Sequence, residues 1–564
     1  MVARIPDKIL DTQAAIIARD VDRNKKFDAM DIMFFNRYKK PAELEDEKWF
    51  RLVPTTQPSD AVWGAMRTLS SIEPDLTYAP ISGMPEDKDH ADKIEKVLTT
   101  HYRKAGRRSK SKHTRQIVWN SLLYDMVAVQ IEFIPFMLRN TKLNSKLRTR
   151  LERSARFGPF IINVRNAKNV HAVHSELGVE TVVYEQLMPA REAVNYYANR
   201  RLESLVEEKG AEWVYIVDMM DEEKRYVSAH VGEKGVVENS DVLSLINQKH
   251  DLPFVNWIIK GGGSTTESDA EKHFRPLLDS IYHSDQATTV TILRSLLVSD
   301  VIYNYFNPTS ATTTITGEAP DLETTKGPRK NVDLKVGESI ISLPPNPLDV
   351  GMLNLLQMVS DDMQRSTAPR ILFGEVPSDI SFATYNAGVQ AASRTIIPHK
   401  EVSEDALVEL FTQMLMWSQH AEKDLVAFIS TKNEDDDEVR EKYTLDHREF
   451  DINTIDMEVE LKADIPIDRQ TRVNTAAQLY TALPVSARYA LEQTGITDAK
   501  QQMEEREQED INSIAIQNTA SSLSTEFMDE LEKTVEQRVL ARIQQEMKNE
   551  QSQQNGAQGA PQSQ

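Results

Sequence analysis

The chain has 564 residues, room for roughly three or four domains of about 150 residues each. Its 40% hydrophobic and 27% charged residues predict packed globular domains, and the absence of cysteine excludes disulfides, thiolate nucleophiles and Cys-ligated metals and suits a reducing cytoplasm. A net charge of −21 argues against a protein that grips nucleic acid over its whole surface and leaves room for local basic patches.

The start, "MVARIPDKILDTQAAIIARD", carries charges throughout, unlike a secretory leader. No later window nears an uninterrupted apolar membrane span. "AAIIARDVDRNKKFDAMDIMFFNRY" has helical apolar periodicity, so 1–58 reads as an N-terminal helical arm whose amphipathic helix Pro41 ends. A second helix follows Ser59-Asp60 through Ala61, Val62, Met66 and Leu69, and a third spans about Asp87 to His101. "RKAGRRSKSKHTR", Arg103 to Arg115, is the most basic stretch. It reads as a solvated face, with phosphate contact the alternative.

"VAVQIEFIPF" alternates as a half-buried strand should. "FIINVRNAKNVHAVHSELGVETVVYEQL" and "EWVYIVDMMDEEKRYVSAHV" follow as Val-rich strand pairs with turns at "ELGVE" and Asp218–Lys224. "KGGGSTTESDAEKHF" then makes a joint before a helix from about Ser268 to Ser299, which at 1.5 Å per residue would be about 45 Å long. Its apolar set includes Leu277, Leu278, Ile281, Leu293 and Leu296. Two short strands, near Thr312–Thr316 and Glu338–Leu343, form a small β excursion, and helix returns at about Leu348–Arg365. "GEVPSDISFATYNAGVQAASRTIIPHK" is a polar loop at the mouth of a helix that should bend at Pro398 and run to about Ser430. "KNEDDDEVRE" is an acidic loop, "FDINTIDMEVELKADIPI" a strand, and helices follow to about Lys548 before a low-complexity tail.

The chemical motifs are weak. In "KGGGSTTE" Lys260 precedes the glycines, whereas a phosphate-binding loop needs the lysine after them. His171 and His174 fall on opposite faces of a strand and suit packing or surface positions. The acidic run 434–438 lacks the spaced ligands and turn glycine of a calcium loop. No GxSxG or HExxH occurs, so no catalytic residues, metal or cofactor are expected.

The order of segments, with "LPFVNWIIKGGGSTTESDAEKHFRPLLDSIYHSDQ", "GEVPSDISFATYNAGVQAASRTIIPHKEVSEDALVELFTQML" and "ADIPIDRQTRVNTAAQLYTALPVSARYALEQTGITDAKQQMEER", resembles the portal proteins of tailed bacteriophages, the head-to-tail connectors. The likeness covers about 60–564. It implies an α+β fold: a β-rich wing over 59–266, a stem helix over 267–300, a clip over 301–346, a second stem helix over 347–366 and a tunnel loop over 367–382. A kinked helix with returning wing strands takes 383–470, a helical crown 471–549 and a disordered tail 550–564.

The resemblance further implies a ring, usually of twelve subunits, at one capsid vertex of the virion, assembled in the host cytoplasm. Double-stranded DNA would pass through the ring's channel during packaging and ejection. Partners would be capsid and scaffolding proteins, a terminase motor, and head-completion or tail adaptor proteins, with no membrane and no catalysis. The tunnel loop would present Arg370, Gly374, Glu375, Ser378 and Asp379 to the channel, and the clip would dock terminase through Glu318, Asp321, Glu323, Lys326, Arg329 and Lys330. The lumen would be acidic on balance with isolated basic rings. Two other readings stay open: another phage connector, tail or baseplate protein, and a metal-dependent nucleic-acid enzyme.

The tunnel-loop reading has a direct test. Shortening Gly374–Ser381 should leave assembly intact and lower the nuclease-protected DNA in particles. Tyr385→Ala or Val389→Ala, on the apolar face that follows, should weaken the assembly itself by roughly 1–4 kcal/mol. The reverse pattern would exchange the two roles.

Overall fold

The structure, a computed structural model, describes residues 5–70, 73–80, 84–109, 111–139, 145–155, 158–176, 178–197, 199–232, 241–250, 252–262, 273–306, 310–313, 339–342, 350–366, 394–432, 438–451, 454–461 and 534–544. It mixes helices with open antiparallel sheets, an α+β fold, and divides into two units, Met1–Asp464 and Ile465–Gln564. In the second unit the described part is a helix over 534–544, exposed along its length.

The first unit begins with α1 (Asp7–Arg19) and α2 (Val21–Phe34). These helices are where the periodicity puts them, yet they are built into the body. Phe27, Met30, Met33 and Phe34 are buried, as are the charged Arg23 and Lys26. After α3 (Gln57–Ser70) comes β1 (Asp75–Tyr78), which pairs antiparallel with a strand near the end of the unit. Next are α4 (Pro85–Gly106), α5 (His113–Tyr124), β2 (Met126–Phe133), α6 (Ile134–Leu138) and α7 (Ser145–Ala155). All eight residues of β2 are buried, so its alternation does not mark a solvent face. Gln130 accepts from Arg165 Nη2 at 2.9 Å, and Glu132 lies 3.8 Å from Arg225, so the polar side chains of β2 are buried with partners.

β3 (Phe160–Arg165) flanks β2 on one side. Then β4 (Val170–Ser175), β5 (Gly178–Pro189), α8 (Ala190–Tyr197), α9 (Arg200–Lys209), β6 (Trp213–Met220), β7 (Lys224–Val231) and β8 (Asp241–Lys249) build a five-stranded meander in chain order. Period-two alternation sorts its side chains. Val183, Val217, Met219 and Tyr226 meet Ile9, Leu10, Ile16 and Ile17 of α1. Val214, Ile216, Val227 and Ala229 meet Ala193 and Leu202 of α8 and α9. β9 (Trp257–Gly261) returns to the other edge of β2.

The span read as one helix from about Ser268 to Ser299 is not a single helix. α10 (Asp279–Ser284) ends at Asp285, whose φ of 51° is left-handed, and α11 (Gln286–Phe306) begins immediately after it. β10 (Ser310–Thr313) and β11 (Ser339–Ser342) pair antiparallel, and α12 (Val350–Ser366) packs beside α11. Next, α13 (Ile397–His420) carries Pro398 in its first turn, where proline's missing N–H costs nothing, so Pro398 opens this helix and does not bend it.

α13 stops at His420, short of the expected Ser430. Glu422 takes a left-handed φ of 47°, and Lys423 N donates back to Ser418 O at 3.1 Å, a helix-ending loop made without glycine. The residues read as helix instead form β12 (Leu425–Lys432), paired with β13 (Glu438–Leu445). In β12 Leu425 and Ala427 are buried, while Phe428 is 58% exposed. β14 (Met457–Glu460) alternates buried and exposed and completes the pair with β1.

Chain 51–55 runs extended along α11. The backbone N–H groups of Arg51, Val53 and Thr55 donate to Ser299 Oγ (2.7 Å), Ser295 Oγ (2.8 Å) and Thr291 Oγ1 (3.2 Å). The match is metric: two extended residues advance about 6.6 Å and four helical residues about 6.0 Å. Gln57 Nε2 adds a bond to Ser360 Oγ of α12 at 2.7 Å, so the N-terminal segment is tied to both α11 and α12. Ser295→Ala leaves the Val53 N–H without its acceptor. It should cost about 1–2 kcal/mol in urea denaturation, whereas Ser280→Ala, on α10 away from this ladder, should cost less.

Candidate functional site

The residues singled out as functional lie outside the described residues. This holds for Arg370, Gly374, Glu375, Ser378 and Asp379 of the tunnel loop and for Glu318, Asp321, Glu323, Lys326, Arg329 and Lys330 of the clip. What the structure describes is the frame that carries those segments: α11 leading to β10, β11 leading to α12, and α13 beyond the loop.

That frame is anchored at the junction of β9, α5 and the residues before α10. Asp125 follows α5 with a left-handed φ of 52°. Its backbone oxygen accepts from Gly262 N at 3.1 Å, and its Oδ2 accepts from Arg275 N at 2.8 Å. Leu277 N donates to Leu122 O at 2.9 Å. Gly261 (φ 129°) presses so close that a Cβ would overlap the Asp125 carbonyl oxygen, and a Cβ on Gly262 (φ 68°) would overlap the His273 ring. The glycines read as a flexible joint are required here for close approach and positive φ.

Helices α2 and α13 also meet at the junction. Lys26 of α2 pairs with Asp279 at 2.5 Å and donates to Phe274 O at 2.7 Å. From the first turn of α13, His399 places Nδ1 3.7 Å from Asp125 Oδ1, and its carbonyl accepts from Ser121 Oγ at 2.8 Å. Burial pushes the Asp125 carboxyl up to about 7 and His399 down to about 4. Of the apolar stem set, Leu277, Leu278 and Ile281 are buried within the chain here. The exposed apolar stem residues are Val298 and Val301 on α11 and Val350 (66%), Leu353, Leu355 and Met358 (55%) on α12.

A second buried polar group is paired internally. His171 is fully buried, with Nδ1 3.0 Å from Asp20 and Nε2 3.2 Å from Glu185. Arg23 closes the group, 3.0 Å from Asp20, and donates to Val170 O at 3.0 Å. His174 is exposed, so the two histidines do share no site. A cavity of about 370 Å³ between the two sheets and α7 is lined by Gln130, Glu132, Arg165, Tyr184, Asp218 and Arg225. Arg225 there is bound at two points by Asp218, at 3.0 and 2.6 Å. Asp424, Asp446 and His447 could share a cation, but His447 Nδ1 already bonds Asp424 at 2.8 Å and holds its carboxyl below the usual range. Of the acidic run, 434–437 lies outside the described residues and Glu438 opens β13.

The basic stretch divides. Arg108 is structural, donating to Phe160 O at 2.9 Å, to Ser154 O at 2.7 Å and to Gly158 O. Arg103 pairs with Glu73 at 2.5 Å, and His113 is buried. Arg107, Lys112 and Arg115 are exposed.

No family model matches the chain, and no curated protein matches it. Among solved structures it is similar to a chain from the virion of a native gene transfer agent particle, at 10% identity and a TM-score of 0.33 over 79% of this chain and 95% of that one. No described helix is long and apolar enough to cross a membrane.

The junction has a pH signature. A carboxyl raised from about 3.9 toward 7 stabilises the fold fully at acid pH, and that contribution is lost as pH rises through 7. A histidine depressed to about 4 contributes above pH 6.5, and that contribution is lost as pH falls toward 4. The two slopes oppose each other. Asp125→Asn keeps an acceptor and removes one slope, so its denaturation midpoint should fall more steeply than wild type between pH 6.5 and 4. Parallel profiles would contradict the burial of both groups.

Proposed function

We propose that the chain is a portal-type subunit without catalysis of its own. Copies form a ring at one capsid vertex of a tailed phage, DNA passes along the axis in packaging and ejection, and the 301–346 segment docks terminase and later head-completion proteins. The observation that carries this reading is the excursion α11–β10–β11–α12. Two helices packed side by side project a small β unit, and their outer faces keep Val298, Val301, Val350, Leu353, Leu355 and Met358 exposed.

Such residues on a lone chain call for a partner surface, and flanking copies in a ring supply one along every stem. The sequence resemblance supports the same reading through the order of its segments. A polar loop over 367–382 suits a channel wall, which must stay solvated beside DNA and let it slide. Anchoring of the stem through Asp125 and through chain 51–57 suits a conduit that bears load while its loops do the contacting.

Light scattering of the purified chain should give a mass many times 64.1 kDa. Leu353→Asp with Met358→Asp should shift it toward the monomer while leaving far-UV dichroism unchanged. Charge reversal at Lys326, Arg329 and Lys330 should weaken terminase docking with the assembly intact. A folded monomer at all salt concentrations would rule out the ring, and loss of assembly in the charge-reversed variant would make the clip a subunit contact.

A further inference from the structure

The chain is acidic overall, yet one region of its surface is strongly basic. Arg108 brings it together. The guanidinium, at the end of α4, holds the carbonyls of Ser154, Gly158 and Phe160, so the end of α7 lies against the end of α4. The Lys104 Cβ is within 3.5 Å of where a side chain on Gly158 would begin. Exposed Arg107, Lys112 and Arg115 from the α4–α5 turn are thereby joined by exposed Arg153 near the end of α7, while Arg150, one turn earlier, lines the cavity beside Glu132 and Asp218. Sequence alone separates these groups by some forty positions.

Helix-end electrostatics accounts for only part of the set. Basic side chains in the last turn of α4, Arg103 and Lys104, complement a helix C-terminus. Lys112 and Arg115 sit at the opposite kind of end, the start of α5, whose first turn carries no acid. Arg103 is paired with Glu73 and Arg148 with Glu152 at 3.4 Å. Neighbouring positive charge also crowds the patch: burial first, and then Arg107, lowers the Lys104 ammonium below its usual range.

We infer that this patch binds the phosphate backbone of double-stranded DNA without regard to sequence. The choice of DNA over an acidic protein rests on composition. Protein–protein interfaces carry an apolar, often aromatic centre and few lysines, whereas DNA-binding surfaces are polar and positively charged. Among the described residues no large hydrophobic side chain is exposed between Met84 and Leu187, the span that contributes the patch. Arginine predominates, and its planar donor fork suits phosphate oxygens. The binding is local, since the rest of the −21 chain repels DNA. It stands on the patch alone and holds whether or not the chain forms a ring.

The test uses the full chain and a fluorescent 20-base-pair duplex of arbitrary sequence, followed by anisotropy across a salt series. Wild type should bind at low salt, with affinity falling steeply as salt rises. The triple variant Arg107→Gln, Lys112→Gln, Arg153→Gln should bind at least tenfold more weakly. Its slope of log K against log salt should be shallower by about 2.7, at 0.9 per phosphate contact. Arg107→Gln alone should remove about one contact's worth. A control, Lys39→Gln, Arg200→Gln, Arg201→Gln, removes equal charge from exposed positions outside the patch and should leave affinity and slope near wild type. Absent binding by wild type at low salt, or equal losses in patch and control variants, would overturn the assignment. So would a patch variant that binds DNA normally but changes the mass of the assembly, which would make the patch a protein contact.

Discussion

Asp125 is the point on which the first unit turns. One residue ends α5, takes a left-handed conformation, opens the buried strand β2, and receives the backbone of Gly262 and Arg275. The chain can approach so closely only because positions 261 and 262 have no side chain. Around this turn the structure packs its costliest groups: a buried lysine paired to Asp279, a histidine kept neutral, and a carboxyl pushed toward neutrality. Buried ionisable groups of this kind are tolerated when each finds partners and become strongly destabilising when one partner is removed. Helix α10 follows directly from this junction, and the hydroxyl ladder on α11 ties that helix to chain 51–55.

Much of the fold was legible because its periodicity is strong. Strands β4 to β7 of the meander, the paired strands β10 and β11, and the returning helix α12 lie within a few residues of where alternation and helical spacing put them, whereas β8 fell only within a region read broadly as β-rich. The departures have physical causes. β2 alternates yet is buried on both faces, because Arg165 and Arg225 supply partners that its own pattern cannot announce. The helix expected over Ser268–Ser299 breaks at Asp285, and α13 stops at His420 just before left-handed Glu422; neither left-handed residue is glycine, so no glycine flags either break. β1 is four residues long and takes its stability from a strand almost four hundred positions away. The N-terminal segment read as a separate arm, since nothing in its composition reveals the hydroxyls of Thr291, Ser295 and Ser299 that receive it.

The candidate site was legible differently. Turn residues and charge marked two polar segments, and the resemblance made them tunnel loop and clip; those residues lie outside the described set and the assignment is a proposal, while the flanking helices and strands are described. The basic surface was half visible. Arg103 to Arg115 stands out in the sequence, but Arg108 proves to be an internal tie, and Arg153 joins the patch only through the fold. A local basic island stands on an acidic chain, and the exposed apolar residues of α11 and α12 lie elsewhere; under the two proposals the first would meet phosphate and the second other copies of the chain.

Direct imaging of the purified full-length chain by electron microscopy tests the portal reading most sharply. Closed rings with an axial channel wide enough for a DNA duplex, their stems lined by α11 and α12 of adjacent copies, are the expected result. Monomers, open filaments or rings closed over at the axis would contradict it.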